Sequence, residues 1–507
     1  MDLLWIGLKT SLQPFYLLMA FVGAFLGVAF GAIPGVNAII GVALLIPLTL
    51  SLDPIAAFIL LGAVYTGGAV GGAFPAILFK IPGAPEAAAT TFDGYPLAQK
   101  GQASKAIGMA LFASTTGGIF GVLALSFLSP QLAKIAISFS AQEYFAFALL
   151  GLTIIVALGD SILKAVISGL LGLLLATVGL DKLTTAERFT FGWKPLFGGF
   201  EFVSIIIGVF AVSEVLERIQ SRETGEFTTR EKVGTKLPSL KEVLECKWTL
   251  LRSYIIGTII GILPGVGATT ASFFGYSEAV RWSKHPEKFG TGILEGVAAC
   301  ESADNAAVGG ALVPLLTLGI PGSATTAVMV GGLLIHGLIP GPLLFVEQPK
   351  FVYTFFSGMF IAQITMLITG MIGVKIFVKV LNLRYSVLGP CILVLCVVGG
   401  YAMRNNTFDL WIVLVAGVIG YFMNRYQYPF APMVIGLVLG DLVETSLRRT
   451  LILQEYEFLP IFNRPISAII LIFAILSLFY PVFRKYYARR LKEKTSERQT
   501  EAKRSLE

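Results

Sequence analysis

In a chain of which 14% is charged, a glutamate and an aspartate three positions apart in a glycine- and alanine-rich stretch invite a chemical reading. Glu301, Ser302, Asp304 and Asn305 bring carboxylate, hydroxyl and amide oxygens together, the groups that hold a proton or a sodium ion. An acidic side chain in an apolar segment is expensive and marks an ion or proton pathway, so these four and Asp93 are the candidates for binding a coupling ion. A second set consists of neutral donors beside Pro-Gly pairs. Asn37 follows Pro34-Gly35, and Thr90 and Thr91 follow Pro82-Gly83, with Glu86, Asp93 and Tyr95 nearby. Thr269 and Thr270 follow Pro264-Gly265 and Gly267, while Ser323 and Thr325 follow Pro321-Gly322. Hydroxyls and amides bind a carboxylate at far lower burial cost than a charged side chain. These residues, with Asn305, are the candidate substrate contacts.

Such groups need elements that place them. A Pro-Gly pair stops one helix and lets another start. Inside an apolar segment the freed backbone is tolerated only where protein or a water-lined cavity satisfies it. Restarted helices point their positive N-terminal ends at the break, where they hold an anion, and unwound carbonyls there can hold sodium. The breaks also recur. Gly31-x-x-Pro34-Gly35-Val36-x-Ala38 returns as Gly261-x-x-Pro264-Gly265-Val266-x-Ala268, an offset of 230. Ala69-Val-Gly-Gly-Ala73 returns as Ala307-Val-Gly-Gly-Ala311 at 238, and Ile81-Pro82-Gly83 as Ile320-Pro321-Gly322 at 239. Two related halves are expected, residues 1–213 and 248–483, joined by a charged linker at 214–247. Inverted repeats are the expected arrangement and parallel repeats the alternative, the parity of crossings deciding. Matching breaks in two halves point to a secondary transporter's binding site.

Composition sets the class. The 507 residues are 55% hydrophobic, with a mean hydropathy of +0.79, whereas soluble domains average about 25% charged residues. A water-soluble enzyme is excluded, because so apolar a chain would expose a large apolar surface to water. Apolar stretches at roughly 12–33, 54–79, 104–128, 141–159, 162–180 and 199–214 are long enough to suggest membrane spans. Others lie at roughly 249–280, 295–318, 323–346, 351–381, 385–403, 408–424, 430–444 and 464–483. An all-α polytopic protein with about twelve transmembrane helices plus broken or re-entrant segments is expected. Residues 484–507 carry nine basic and four acidic side chains, supplying +5 of the net +7. That tail reads as a cytoplasmic anchor in a multi-pass protein of the cell membrane, and the basic balance does not indicate nucleic-acid binding. Cys246, Cys300, Cys391 and Cys396 show no ligand spacing, His285 and His336 lie apart, and no G-x-x-x-x-G-K-[ST] loop occurs. Neither a cofactor, a metal other than sodium, nor ATP is indicated.

These motifs resemble those of the large membrane subunit of the tripartite tricarboxylate transporters. Gly31-Ala-Ile-Pro-Gly-Val-Asn37 with Ile46-Pro-Leu-Thr49 and Leu52-Asp-Pro54 is similar to the family's first signature. Ile81-Pro-Gly-Ala-Pro-Glu-Ala-Ala-Ala-Thr-Thr-Phe-Asp-Gly-Tyr-Pro96 is similar to its second. Ser283-Lys-His-Pro-Glu-Lys-Phe-Gly290, Glu295-Gly-Val-Ala-Ala299 and Leu315-Leu-Thr-Leu-Gly-Ile-Pro-Gly-Ser323 are similar to its third. One departure stands out: where the family typically reads Pro-Glu-Ala-Ala-Asn-Asn-Ala, this chain has Cys300-Glu-Ser-Ala-Asp-Asn-Ala306, which puts a carboxylate at Asp304. The resemblance implies a three-part system powered by a sodium or proton gradient. In it a small membrane subunit sits beside this chain, and an extracytoplasmic solute-binding protein delivers a di- or tricarboxylate. A carboxylate at Asp304, close to Glu301, implies either stronger cation binding or proton coupling through their mutual repulsion, and it weighs against a trianion as substrate. An uncoupled channel or membrane scaffold is the alternative class. A mobile unit built from the Pro-Gly hairpins, moving against a scaffold, is the mechanism expected by analogy with other transporters that carry paired breaks.

Overall fold

The computed structural model describes residues 2–33, 36–158, 161–181, 184–221, 234–380, 385–455 and 464–478. Its helices begin and end where proline, glycine and small polar side chains interrupt apolar sequence. After α1 (Asp2–Ser11), α2 (Pro14–Ala32) opens on Pro14, a position where the missing N–H leaves no bond unmade. Asn37 opens α3 (Ala38–Leu45) by accepting from the Ile40 N–H at 3.2 Å. Asp53 caps α4 (Pro54–Gly71), accepting from Ile55 and Ala56. Then α5 (Ala73–Phe79) stops at Lys80, whose φ of 61° is left-handed, and a 3-10 turn, Pro85–Ala88, leads into α6 (Thr91–Gln99). Next come α7 (Ala103–Ala136), α8 (Ala141–Leu158) and α9 (Ile162–Ala176). A short antiparallel ribbon pairs Gly179 with Arg188, and α10 (Phe202–Ile206) passes through a π-helical stretch, Ile207–Val212, into α11 (Ser213–Ser221).

Beyond the charged stretch, α12 (Leu240–Ile262) is started by a capping box between Ser239 and Glu242. The stretch read as linker therefore ends in helix. Then come α13 (Gly267–Trp282), α14 (Leu294–Leu318), α15 (Ala324–Ile335), α16 (Leu344–Glu347) and α17 (Pro349–Val380). The chain continues with α18 (Tyr385–Arg404), α19 (Thr407–Arg425), α20 (Phe430–Leu453) and an apolar helix, Pro465–Leu478. Pro34, Gly35, residues 222–233 of the linker and the 484–507 tail lie outside the described residues.

Glycine decides how the central helices meet. A methyl group on Gly27 would stand 2.5 Å from the Val64 carbonyl oxygen, one on Gly31 2.1 Å from that of Gly68, and one on Gly71 2.5 Å from that of Val28. Only glycine lets α2 and α4 approach so closely. The pair α12 and α14 does the same: Gly257 would clash with the Ala303 oxygen at 2.1 Å, Gly261 with that of Ala307 at 2.4 Å, and Gly310 with that of Thr258 at 2.5 Å. The next long helices cross over. α7 packs on α14 and α12, α17 packs on α2 and α4, and the two helices meet where Gly118 faces the Gln363 amide.

Among the described residues, six helices are long and apolar enough to cross a membrane: Pro14–Ala32, Pro54–Phe79, Ala103–Ala136, Pro349–Phe377, Thr407–Arg425 and Phe430–Leu453. Six further apolar helices have 10–17 residues, so length and composition by themselves support six of the crossings expected. α14 is absent from both sets because Glu301, Asp304 and Asn305 lower its hydropathy, although it is buried from Gly296 to Thr317. The long helices turn large apolar side chains outward, Phe127, Ile372 and Trp411 among them, as lipid-facing surfaces do.

Candidate functional site

α14 is polar at its middle yet buried from Gly296 to Thr317. Small residues make this packing feasible. Gly257 and Gly275 meet it at Ala303 and Ala299, Gly117 at the Ser302 carbonyl and Gly121 at that of Ala306. Glu301, Asp304 and Asn305 stand at i, i+3 and i+4, and therefore share one face of the helix. Glu301 is 1% exposed, and both its oxygens accept hydrogen bonds: Thr90 Oγ1 donates to Oε1 at 2.6 Å, and Ser114 Oγ to Oε2 at 2.9 Å. Thr90 comes from the Pro82-Gly83 hairpin and Ser114 from α7, so this one carboxylate gathers three elements. Asp304 and Asn305 are each 0% exposed, and their four side-chain polar atoms have no hydrogen-bond partner among the described residues.

The second pair of breaks closes around the same region. Gly265 and Gly267 adopt φ values of 75° and 73°, which glycine alone reaches without strain. The Gly265 N–H donates to the Gly322 carbonyl at 3.0 Å. That bond brings together the N-termini of α13 and α15. Ser323 caps α15 in a box with Thr326, and its hydroxyl also lies 2.8 Å from the Tyr65 hydroxyl, which joins the start of α15 to α4. Gly322 sits against the Gly261 carbonyl and Ala311, as Gly83 sits against the Gly31 carbonyl and Gly72. Glu86, half-buried on the Pro85–Ala88 turn, acts electrostatically on Asp304, Glu301 and Tyr65.

The residues singled out by sequence divide accordingly. Thr90, Glu301, Asp304, Asn305, Gly265, Gly267, Pro321, Gly322 and Ser323 belong to this centre. Thr325 is buried in the first turn of α15, and Pro264, Thr269 and Thr270 line the partly exposed start of α13, where Thr270 bonds back to the Val266 carbonyl. Asn37 caps α3, Thr91 bonds to the Ala88 carbonyl, Ser302 bonds to the Ala298 carbonyl, and Pro82-Gly83 forms the hairpin. Asp93 lies apart from them. It accepts from Tyr276 Oη at 2.9 Å, from the Gly292 N–H at 2.8 Å and from the Ile293 N–H at 3.0 Å, fixing the entry of α14. Sequence reading passed over Tyr65, Ser114 and Gln363. Their one signal was a polar side chain within an apolar helix; Gln363 is fully buried, and its amide has no partner among the described residues. Among the described residues no group of three or more His, Cys, Asp or Glu side chains could hold a metal ion. The centre offers hydroxyls, amides and carboxylates: a place for a small cation beside two helix N-termini that suit an anion.

The model of the tripartite tricarboxylate transporter TctA family matches residues 17–435. The "uncharacterized 52.8 kDa protein in TAR-I ttuC' 3'region" of Agrobacterium vitis is 38% identical over 467 residues, covering 92% of this chain and 93% of that one. The "uncharacterized protein in TAR-II ttuC' 3'region" of the same organism is 38% identical over 215 residues, 42% of this chain and 89% of its own length. No solved structure matches.

Proposed function

Because the chain belongs to the TctA family of tripartite tricarboxylate transporters, a family of transporter subunits and not of enzymes, we propose that it forms the translocation path of a secondary carboxylate importer. The observation that carries this reading is the convergence of paired helix breaks on the buried polar face of α14. The substrate carboxylate, from a di- or tricarboxylate, is held by neutral donors and by the N-termini of α13 and α15, with Gly265, Gly267, Thr269, Thr270, Ser323 and Thr325 in contact. The first half contributes its own breaks through Asn37, Pro82, Gly83, Thr90 and Thr91. The coupling ion, sodium or a proton, binds at the face formed by Glu301, Asp304 and Asn305, while the contacts of Asp93 favour a role in fixing α14.

The membrane arrangement follows the same logic. Long apolar helices and family membership make this a multi-pass membrane protein, in our reading one of the cytoplasmic membrane with its basic tail on the cytoplasmic side. The two halves are structural repeats of inverted topology. This is supported by glycine contacts that recur at offsets of 230 and 239, and by the exchange in which α7 packs on the second helix pair and α17 on the first. A small membrane subunit and an extracytoplasmic binding protein complete the system. Reconstitution of all three in liposomes, followed by uptake of labelled di- and tricarboxylates, tests the reading. Accumulation that requires an imposed sodium or proton gradient is expected. Equilibration that no gradient drives uphill would refute it and favour a channel.

A further inference from the structure

We infer that the two carboxylates of α14 have separate tasks: Asp304, with the Asn305 amide beside it, takes one monovalent cation, and Glu301 is a positioning residue. The inference rests on the transport reading above and assigns the coupling site within it. Glu301 is already provided for, since Thr90 and Ser114 each donate to one of its oxygens. Those bonds tie the first-half hairpin and α7 to α14. Asp304 has no such provision. Neither of its oxygens has a partner among the described residues, at 0% exposure, and both polar atoms of Asn305 are in the same state.

A carboxylate buried without hydrogen-bond donors, as Asp304 is among the described residues, is neutralised by a proton or paired with a cation. The groups around Asp304 sharpen that requirement. Glu301 and Cys300 on its own helix, Glu86 on the Pro85–Ala88 turn and the Tyr65 hydroxyl on α4 lie close enough to interact with it electrostatically. α12 and α13 present Gly257 and Gly275 at Ala303, and α7 presents Gly117 at Ser302. Among the described residues the charged groups that act on Asp304 are the carboxylates Glu86 and Glu301, so the compensating charge comes from solution. One uncommitted carboxylate with one amide oxygen fits a single positive charge, whether proton or sodium.

The test uses the purified full-length chain in detergent. Its thermal unfolding is followed as sodium chloride replaces choline chloride at constant ionic strength, over a series of pH values. A midpoint that rises with sodium identifies sodium, and one that rises with acidification alone identifies the proton. In Asp304→Asn that rise is lost, whereas Glu301→Gln unfolds at a lower baseline and retains it. As a second measurement on the unmodified protein, dicyclohexylcarbodiimide, which attacks protonated carboxyls in apolar surroundings, should label Asp304 and not Glu301. A rise that survives in Asp304→Asn, one that is lost in Glu301→Gln, the absence of any rise in the unmodified chain, or label on Glu301 instead of Asp304 overturns the assignment. Loss of the rise in Asp304→Asn together with gradient-independent uptake by the reconstituted system leaves the site standing and defeats the transport reading.

Discussion

If Glu301 is the tie between the hairpin, α7 and α14, the energy of each hydroxyl that bonds to it depends on its charge. Thr90→Val keeps the shape of the side chain and removes the donor 2.6 Å from Oε1 in a residue that is 1% exposed. A hydrogen bond to a charged group contributes about 1.5–3 kcal/mol and a neutral one about 0.5–1.5. Thr90→Val should therefore cost about 2 kcal/mol in the unmodified protein, on the order of 30-fold in the unfolding equilibrium. In a Glu301→Gln background the same change should cost about 1 kcal/mol, leaving a coupling energy of about 1 kcal/mol. Thr91→Val serves as the control, because that hydroxyl bonds to the Ala88 carbonyl within its own turn and its cost should be the same in both backgrounds. Denaturant unfolding of detergent-solubilised protein measures all four combinations. Equal costs of Thr90→Val in the two backgrounds would refute the tie, and so would a Thr90→Val protein as stable as its parent.

Two further outcomes follow from the packing and the charges. Gly257→Ala places a methyl 2.1 Å from the Ala303 carbonyl, which cannot swing aside as a side chain can; α12 and α14 must part, at a cost of about 3 kcal/mol, whereas Gly234→Ala, with only Ser104 Oγ at 3.8 Å, should stay within about 0.5 kcal/mol of its parent by melting in detergent. At the start of α12, outside the apolar span, the Glu242 carboxyl is held down to about 2 by Lys105 and the capping Ser239. Because its folded value is depressed, that stabilisation is present above about pH 4.5 and is lost as pH falls towards about 2. Discounted for solvent screening it amounts to about 1 kcal/mol, and the hydrogen-exchange protection factors at 234–242, corrected for intrinsic exchange at each pH, should fall through that window in the unmodified protein and hold level in Glu242→Gln.

Much of this architecture was legible in the sequence because it depends on backbone chemistry. Proline lacks a donor and glycine adopts positive φ, so the breaks at Gly265, Gly267 and Pro321-Gly322 are where the motifs put them. The spacing of Glu301, Asp304 and Asn305 puts them on one face once the stretch is helical, as it is in α14. Of the charged stretch 214–247, the first residues belong to α11 and the last to α12, where Ser239 and Glu242 make a capping box that the apolar pattern did not show.

What the sequence by itself determined is a membrane-embedded, glycine-broken helical chain with two carboxylates in its apolar interior. Tertiary structure alone decided which of these groups has partners. Thr90 and Ser114 reach Glu301 across 211 and 187 residues of sequence, and Tyr65 meets Ser323 across 258. By the same long-range packing Asp93, equally acidic on paper, is saturated by Tyr276 and the first N–H groups of the α14 entry. The physical reason is that a helix break is fixed within a few residues, whereas the partners of a buried carboxylate are set by whichever distant helices the glycines allow to come close.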